Sequence, residues 1–286
     1  MSRLSSIHIA LLVFSFLASY SAAFADTSSA LLAMEDSENP LVLISTSRGE
    51  IYLELFPLEA PRNVENFIEL AEGEKDFINP NTGEPTQSRY YNGMRFHRVI
   101  PGFLIQAGSP AYNPLGLQVP LLDDEINADA LGLDQIPVLN PDGSFAEILN
   151  IESRADFHKE ILIPFYERRN IDDVDTALSR QYQSLEALQA LSVKSAYENQ
   201  GYRYNSDRAS RPIERGTVAL ANSGPDSNGP EFFISLSDDE RLNGKHTVIG
   251  RVVEGLEVMD RIGSTAIDPD QFSSQSTLIY SVRRAN

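Results

Sequence analysis

The apolar run Leu41-Val42-Leu43-Ile44 tails into Ser45-Thr46-Ser47, the polar triplet Arg48-Gly49-Glu50 interrupts it, and Ile51-Tyr52-Leu53-Glu54-Leu55 resumes it. That pattern predicts two strands joined by a tight turn. Pro61 then opens a helix whose apolar positions Val64, Phe67, Ile68 and Ala71 share one face and which Gly73 closes. Residues 74–92, rich in Asn, Pro, Gly, Thr and Ser, read as a surface loop. Strands are expected at Met94–Ile100 and Phe103–Ala107, parted by Pro101-Gly102, and again at Thr217–Ala221, Glu231–Ser235 and Thr247–Val253. A short helix at Leu256–Ile262 and a last strand at Thr277–Val282 complete the rhythm. Many short strands with two flanking helices point to a closed antiparallel barrel, mainly β, rather than a parallel sheet.

The rhythm stops after Ala107 and resumes at Thr217. Within the gap Ser153 followed by Asp156 marks a helix start, Phe157, Ile161 and Phe165 share a face, and Pro164 implies a kink or stop. A second helix is expected from about Asp172 to Tyr197, with Leu178, Tyr182, Leu185, Leu188 and Leu191 as its buried stripe. Residues 128–212 are therefore expected to form an α-helical insertion in one domain spanning 40–285, since long irregular loops are uncommon.

Ahead of that domain, one early positive charge at Arg3, the apolar and small residues Ile7 to Ser21, and Ala23-Phe24-Ala25 have the three parts of a signal peptide over residues 1–25. The apolar run is short for a bilayer span. The chain is expected to be exported, to the periplasm in a Gram-negative source and otherwise to the secretory pathway, with no integral membrane segment once the signal is removed. It has no cysteine, so disulfides and thiol chemistry are excluded. A net charge of −18 without a basic patch argues against nucleic acid as a partner. Gly224–Gly229 lacks the spacing of a serine nucleophile elbow. Asp123-Asp124-Glu125 and Asp172-Asp173 lack the alternating ligands of a calcium loop, so no metal is expected.

Three blocks carry specific chemistry. They are Phe96-His97-Arg98-Val99-Ile100-Pro101-Gly102-Phe103-Leu104-Ile105-Gln106-Ala107-Gly108, then Ala221 to Ile234 (ANSGPDSNGPEFFI), then Leu242-Asn243-Gly244-Lys245-His246-Thr247-Val248-Ile249-Gly250. Each resembles a hallmark segment of the cyclophilin-type peptidyl-prolyl cis/trans isomerases, and all three come in the family's order. The resemblance implies an eight-stranded barrel capped by two helices, catalysis of rotation about X-Pro bonds in other polypeptides, no cofactor, and a monomer.

Such catalysis makes modest demands. Amide conjugation opposes rotation by about 18–20 kcal/mol, and no covalent bond is broken. A site is needed that binds the twisted amide better than either planar form. The resemblance makes Arg98 the catalytic donor, toward the proline carbonyl and toward the prolyl nitrogen as its lone pair is released. It makes Phe103, Leu104, Phe233 and Leu242 the apolar cup for the ring, with His246 at its wall. Gln106 orients Arg98 or the substrate backbone, and Ala221 and Asn222 receive the residue before proline. His97, next to Arg98 on a strand, is expected to face the opposite side as a structural histidine. Two positions depart from the family. Glu231 stands where Gln is usual and is expected within reach of Arg98. Arg241 stands where many members carry Trp, which implies weak cyclosporin binding. The rival reading is a catalytically weak module that captures proline segments and uses the insertion as a docking surface.

Overall fold

Ten strands and eight helices follow the apolar runs in the computed structural model, which describes residues 26–78, 80, 82–270 and 273–286. The expected signal peptide lies outside the described residues. A short helix α1 (Thr27–Ala33), capped by the Asp26 carboxylate, precedes β1 (Leu41–Thr46) and β2 (Gly49–Leu55). Helix α2 spans Pro61–Glu72 and ends on Gly73, whose φ of +74° is left-handed and suits glycine. Residues 74–92 are not simply loop, because β3 (Asp76–Ile78) and β4 (Pro85–Gln87) pair as a small hairpin. There follow β5 (Arg98–Ile100), β6 (Leu104–Ala107), β7 (Thr217–Leu220), β8 (Phe232–Ser235) and β9 (Val248–Glu254). The final strand, β10, covers Ile279–Arg284.

Eight strands form one antiparallel sheet in the order β10-β1-β2-β9-β7-β8-β6-β5. The expectation of a closed barrel is corrected here: the sheet curls but stays open, with no ladder between β5 and β10. Only three residues of β5 are in strand geometry, and Val99 on that strand bridges Ile267 instead of β10. Residues Met94–His97, expected as strand, reach the β10 side only through single contacts such as the Arg95–Leu278 bridge.

The two-residue period of the strands sorts their side chains between two layers. Val99, Ile105, Ala107, Val218, Phe232 and Ile234 turn into the main core, which α2 seals with Val64, Phe67 and Ile68. Phe67 lies 5.1 Å from Tyr91 and 5.5 Å from Phe232, ring centre to ring centre. The last helix of the chain (Leu256–Gly263) contributes Val258, Met259 and Ile262 to the same core. Leu104, Ala219, Phe233 and Val248, one residue out of phase, gather on the other face with Phe56 and Ile213.

The interval between β6 and β7 carries a hydrophobic cluster of its own, including Leu133, Val138, Ile161, Phe165, Leu191 and Tyr197. Helix α3 (Arg154–Phe157) starts where expected, the Ser153 hydroxyl accepting from the Asp156 N–H. Pro164 does not stop the run. A wide π-type turn at His158–Leu162 leads straight into α4 (Ile163–Glu167). Proline has no N–H for the Glu160 carbonyl four residues back, and the Gln200 side-chain amide donates to that carbonyl at 2.7 Å.

The single helix expected over 172–197 is three: α5 (Val174–Ser179), α6 (Gln181–Gln189) and α7 (Val193–Asn199). The break before α7 has a cause, because Val138 N–H donates to Leu191 O and Val193 N–H to Ile136 O, bonds that helical backbone would not leave free. The expected buried stripe is also corrected. Leu191 is buried, whereas Leu178, Tyr182 and Leu185 are 58%, 80% and 54% exposed. The Leu256–Gly263 helix is α8.

Candidate active site

Strand register builds the site. Arg98 faces Gln106 across β5 and β6, Gln106 faces Phe233 across β6 and β8, and Phe233 faces Ala219 across β8 and β7. These residues form one row on the face opposite the main core. Leu104 projects beside that row, and the half-buried Phe103, Ala221 and Leu242 pack onto the same cluster. The His246 ring stands edge-on to Phe233 at 5.3 Å. The expected cup residues thus meet on one surface although they come from three separate stretches of chain.

Beside the cup runs a polar chain. Arg98 Nη1 donates to Gln106 Oε1 at 3.0 Å, and Gln106 Nε2 donates to Glu231 Oε1 at 2.6 Å. Glu231 Oε1 also meets His97 Nε2 at 3.0 Å. No other partner of the Arg98 guanidinium occurs among the described residues, so its remaining N–H groups are available to a ligand in the cup. Two expectations are overturned. Glu231 does not pair with Arg98, because Gln106 stands between them. His97 does not face away from this network, since it precedes β5 and strand alternation does not govern it. Its ring instead packs on Tyr112 with centres 4.7 Å apart, and its Nδ1 is buried with no partner among the described residues. Nothing in the residue spacing would have announced the His97–Glu231 contact.

Burial pushes the Glu231 carboxyl upward, but the hydrogen bonds from His97 and Gln106 outweigh it and hold the group below the usual carboxylate range. Burial moves His246 the other way for the same reason, down to about 4. A neutral His246 that meets the Leu220 carbonyl through Nδ1 at 3.0 Å must carry its proton there, which leaves an unprotonated Nε2. Gly108 sets the exit of β6. Its φ is +91°, and a side chain there would strike the Pro230 carbonyl next to Glu231.

Asn222 donates through Nδ2 to the Lys245 main-chain carbonyl at 2.8 Å, which ties the segment after β7 to the turn before β9. The buried Asn228 braces the same corner, donating to Thr247 Oγ1 at 3.0 Å. Arg241 is held by Asp239 through Nε at 2.7 Å, with its guanidinium 5.9 Å from the Phe103 ring.

Residues 41–284 match the family model described as cyclophilin type peptidyl-prolyl cis-trans isomerase/CLD. Peptidyl-prolyl cis-trans isomerase B of Streptomyces anulatus is 28% identical over 235 residues, 82% of this chain and 89% of that protein. Peptidyl-prolyl cis-trans isomerase A of Mycobacterium tuberculosis is 26% identical over 241 residues, 84% of this chain and 88% of that protein. Among solved structures, a Cryptosporidium parvum cyclophilin-type isomerase crystallised in the presence of the dipeptide Ala-Pro aligns with a TM-score of 0.46 and 18% identity, covering 86% of this chain and 99% of that one. With a family match running from the first strand of the sheet to the last, the chain belongs to the cyclophilin-type peptidyl-prolyl cis-trans isomerases.

Proposed function

We propose that the protein speeds rotation about X-Pro bonds with Arg98 as its catalytic residue and Phe103, Leu104, Phe233, Leu242 and His246 as the proline cup. The observation that carries this assignment is a guanidinium fixed by Gln106 on the same sheet face as an apolar cup, with donors to spare. In a planar amide the prolyl nitrogen lone pair is delocalised. As the bond twists, the pair localises and the nitrogen becomes an acceptor, so a fixed donor beside it gains strength only near the transition state. Each ~1.4 kcal/mol of that gain is about tenfold in rate. The cup holds the ring still while the preceding residue turns, and Ala221 and Asn222 stand where that residue would lie.

Arg98→Ala should lower kcat/KM for a short X-Pro peptide at least about tenfold, or ~1.4 kcal/mol, with near-UV dichroism unchanged. A folded variant of undiminished activity would remove Arg98 from the mechanism. A native chain that binds such peptides without accelerating their isomerisation would favour the capture-module reading.

The wider setting is proposed on sequence pattern. Residues 1–25 act as a signal peptide, and the substrates are proline-containing segments of exported polypeptides. Residues 128–212 form an insertion in the isomerase domain. Supporting that division, Asn127 N–H donates to Ser210 Oγ at 2.8 Å and Asn127 Nδ2 to the Arg208 carbonyl at 2.6 Å, so the two ends of the segment lie side by side.

A further inference from the structure

A cavity of about 650 Å³ opens beside the cup, where the helical segment meets the turn before β9. Phe103 and Leu242 line both the cup and this cavity, while Leu149, Ile161 and Tyr197 close it from the helical side. The contact between the two sides is tight. Gly244 has a φ of +79°, and any side chain there would run into Leu133, while the Tyr204 hydroxyl donates to the Gly244 carbonyl at 2.9 Å.

The charges in the cavity are not equivalent. Three carboxylates line it, and each already has a donor: Asp156 the Ser153 hydroxyl, Glu160 the Lys159 ammonium and Asp239 the Arg241 guanidinium. Lys245 does not have an acceptor. Its half-buried ammonium lies 4.6 Å from the Tyr197 ring centre and makes no hydrogen bond or ion pair among the described residues. Burial lowers its affinity for a proton, and Glu160 attracts it only from beyond contact distance. An ammonium over an aromatic face in a partly dry cavity has three donors and wants an anionic acceptor.

We propose that this cavity is a second subsite of the substrate groove, walled by the helical segment, and that Lys245 makes it select client segments bearing an Asp or Glu side chain near the proline. The inference rests on the reading of the adjoining cup as the proline site. The acidic body of the protein does not defeat it, because charges farther off than about 8 Å are largely screened at physiological salt, whereas a contact inside the cavity is not. Each carboxylate of the lining already has a cationic or hydroxyl donor, whereas the Lys245 ammonium has no acceptor among the described residues, so an acidic client side chain supplies it with its first.

The test uses the full chain and two series of short X-Pro peptides, with Glu or its neutral isostere Gln placed in turn at each of three positions before and after the proline. At one position or more, Glu should raise kcat/KM about fivefold over Gln. That ratio should persist in Lys245→Arg and vanish in Lys245→Gln. The substitutions alter only the side chain, leaving the carbonyl that holds Asn222 in place, and near-UV dichroism verifies folding. A ratio below threefold at every position, or one that survives in Lys245→Gln, overturns the proposal. Turnover of the Gln series separates the two readings. If those peptides are not isomerised, the proline reading fails by itself, and fluorescence anisotropy of Glu against Gln peptides still decides whether Lys245 selects the acid.

Discussion

Because the Glu231 carboxylate accepts from both His97 and the Gln106 amide, Gln106 has one orientation open to it, with its carbonyl aimed at Arg98. On the proposed mechanism Glu231 acts on Arg98 at one remove, as a positioning residue. An amide at 231 could still accept from Gln106, but an aliphatic side chain could not. Glu231→Leu should therefore lower kcat/KM about fivefold, the worth of roughly one hydrogen bond of ~1 kcal/mol, with KM little changed. The native carboxylate is held below its ordinary value, so its contribution is complete at neutral pH and is lost only as the pH falls below the usual carboxylate range. Glu231→Gln should abolish that part of the pH–rate profile; identical acid limbs in the two forms would make the carboxylate a bystander. Stability has its own pH dependence. His246, buried and neutral down to about 4 against an ordinary 6.5, leaves the unfolded chain binding the extra proton, so stability is lost as the pH falls from 6.5 toward 4. Asp124 opposes it. Burial, with repulsion from Asp226, raises its carboxyl to about 6 from 3.8, so stability grows as the pH falls through that range. With Asp124→Asn the His246 slope stands alone, and the thermal midpoint should drop more steeply between pH 6.5 and 4 than in the native chain. Equal slopes would place the Asp124 carboxyl at its ordinary value.

Among the elements, α2 has the clearest energetic role, since its buried face closes the main core over the strands. Phe67 is 1% exposed and packs on Tyr91 and Phe232. Phe67→Ala should cost about 3–5 kcal/mol, read from the midpoint of denaturant unfolding. Because Phe232 precedes Phe233 on β8, a loosened core should also disturb the cup. That helix was legible in the sequence, since apolar spacing, Pro61 and Gly73 all agree. The helices of 154–199 were legible in kind but not in extent. Helical periodicity cannot tell that Leu191 and Val193 will surrender backbone bonds to Ile136 and Val138, nor that Tyr182 will face water. That the run continues past Pro164 was not legible for a related reason: the Gln200 amide that caps the freed Glu160 carbonyl comes from the residue just after α7.

For the molecule as a whole, the sheet and the helical segment have separate hydrophobic clusters but a shared border at the turn before β9. Glu125, which accepts from the Asn63 N–H at 2.9 Å at the start of α2, lies outside 128–212 and would remain if that segment were removed. Replacing 128–212 with a Gly/Ser linker should leave a folded sheet, since closure entropy grows slowly with loop length. Short-peptide turnover should persist with the Glu-over-Gln selectivity lost. Aggregation or a featureless near-UV spectrum with several linker lengths would show the segment to be part of the core. The sequence by itself carried most of the strand positions, the order of the three family-like blocks along the chain and the helical character of the interval, because apolar period and motif composition are local properties of the chain; Arg98 and the proposed cup residues were singled out by the resemblance alone. Only the tertiary structure decided that the sheet stays open with Ile267 on the free edge of β5, that Gln106 separates Glu231 from Arg98, and that Lys245 faces a cavity walled by Tyr197. Each of these joins residues far apart in the chain, and the contact exists only once both segments have been brought to one place by packing.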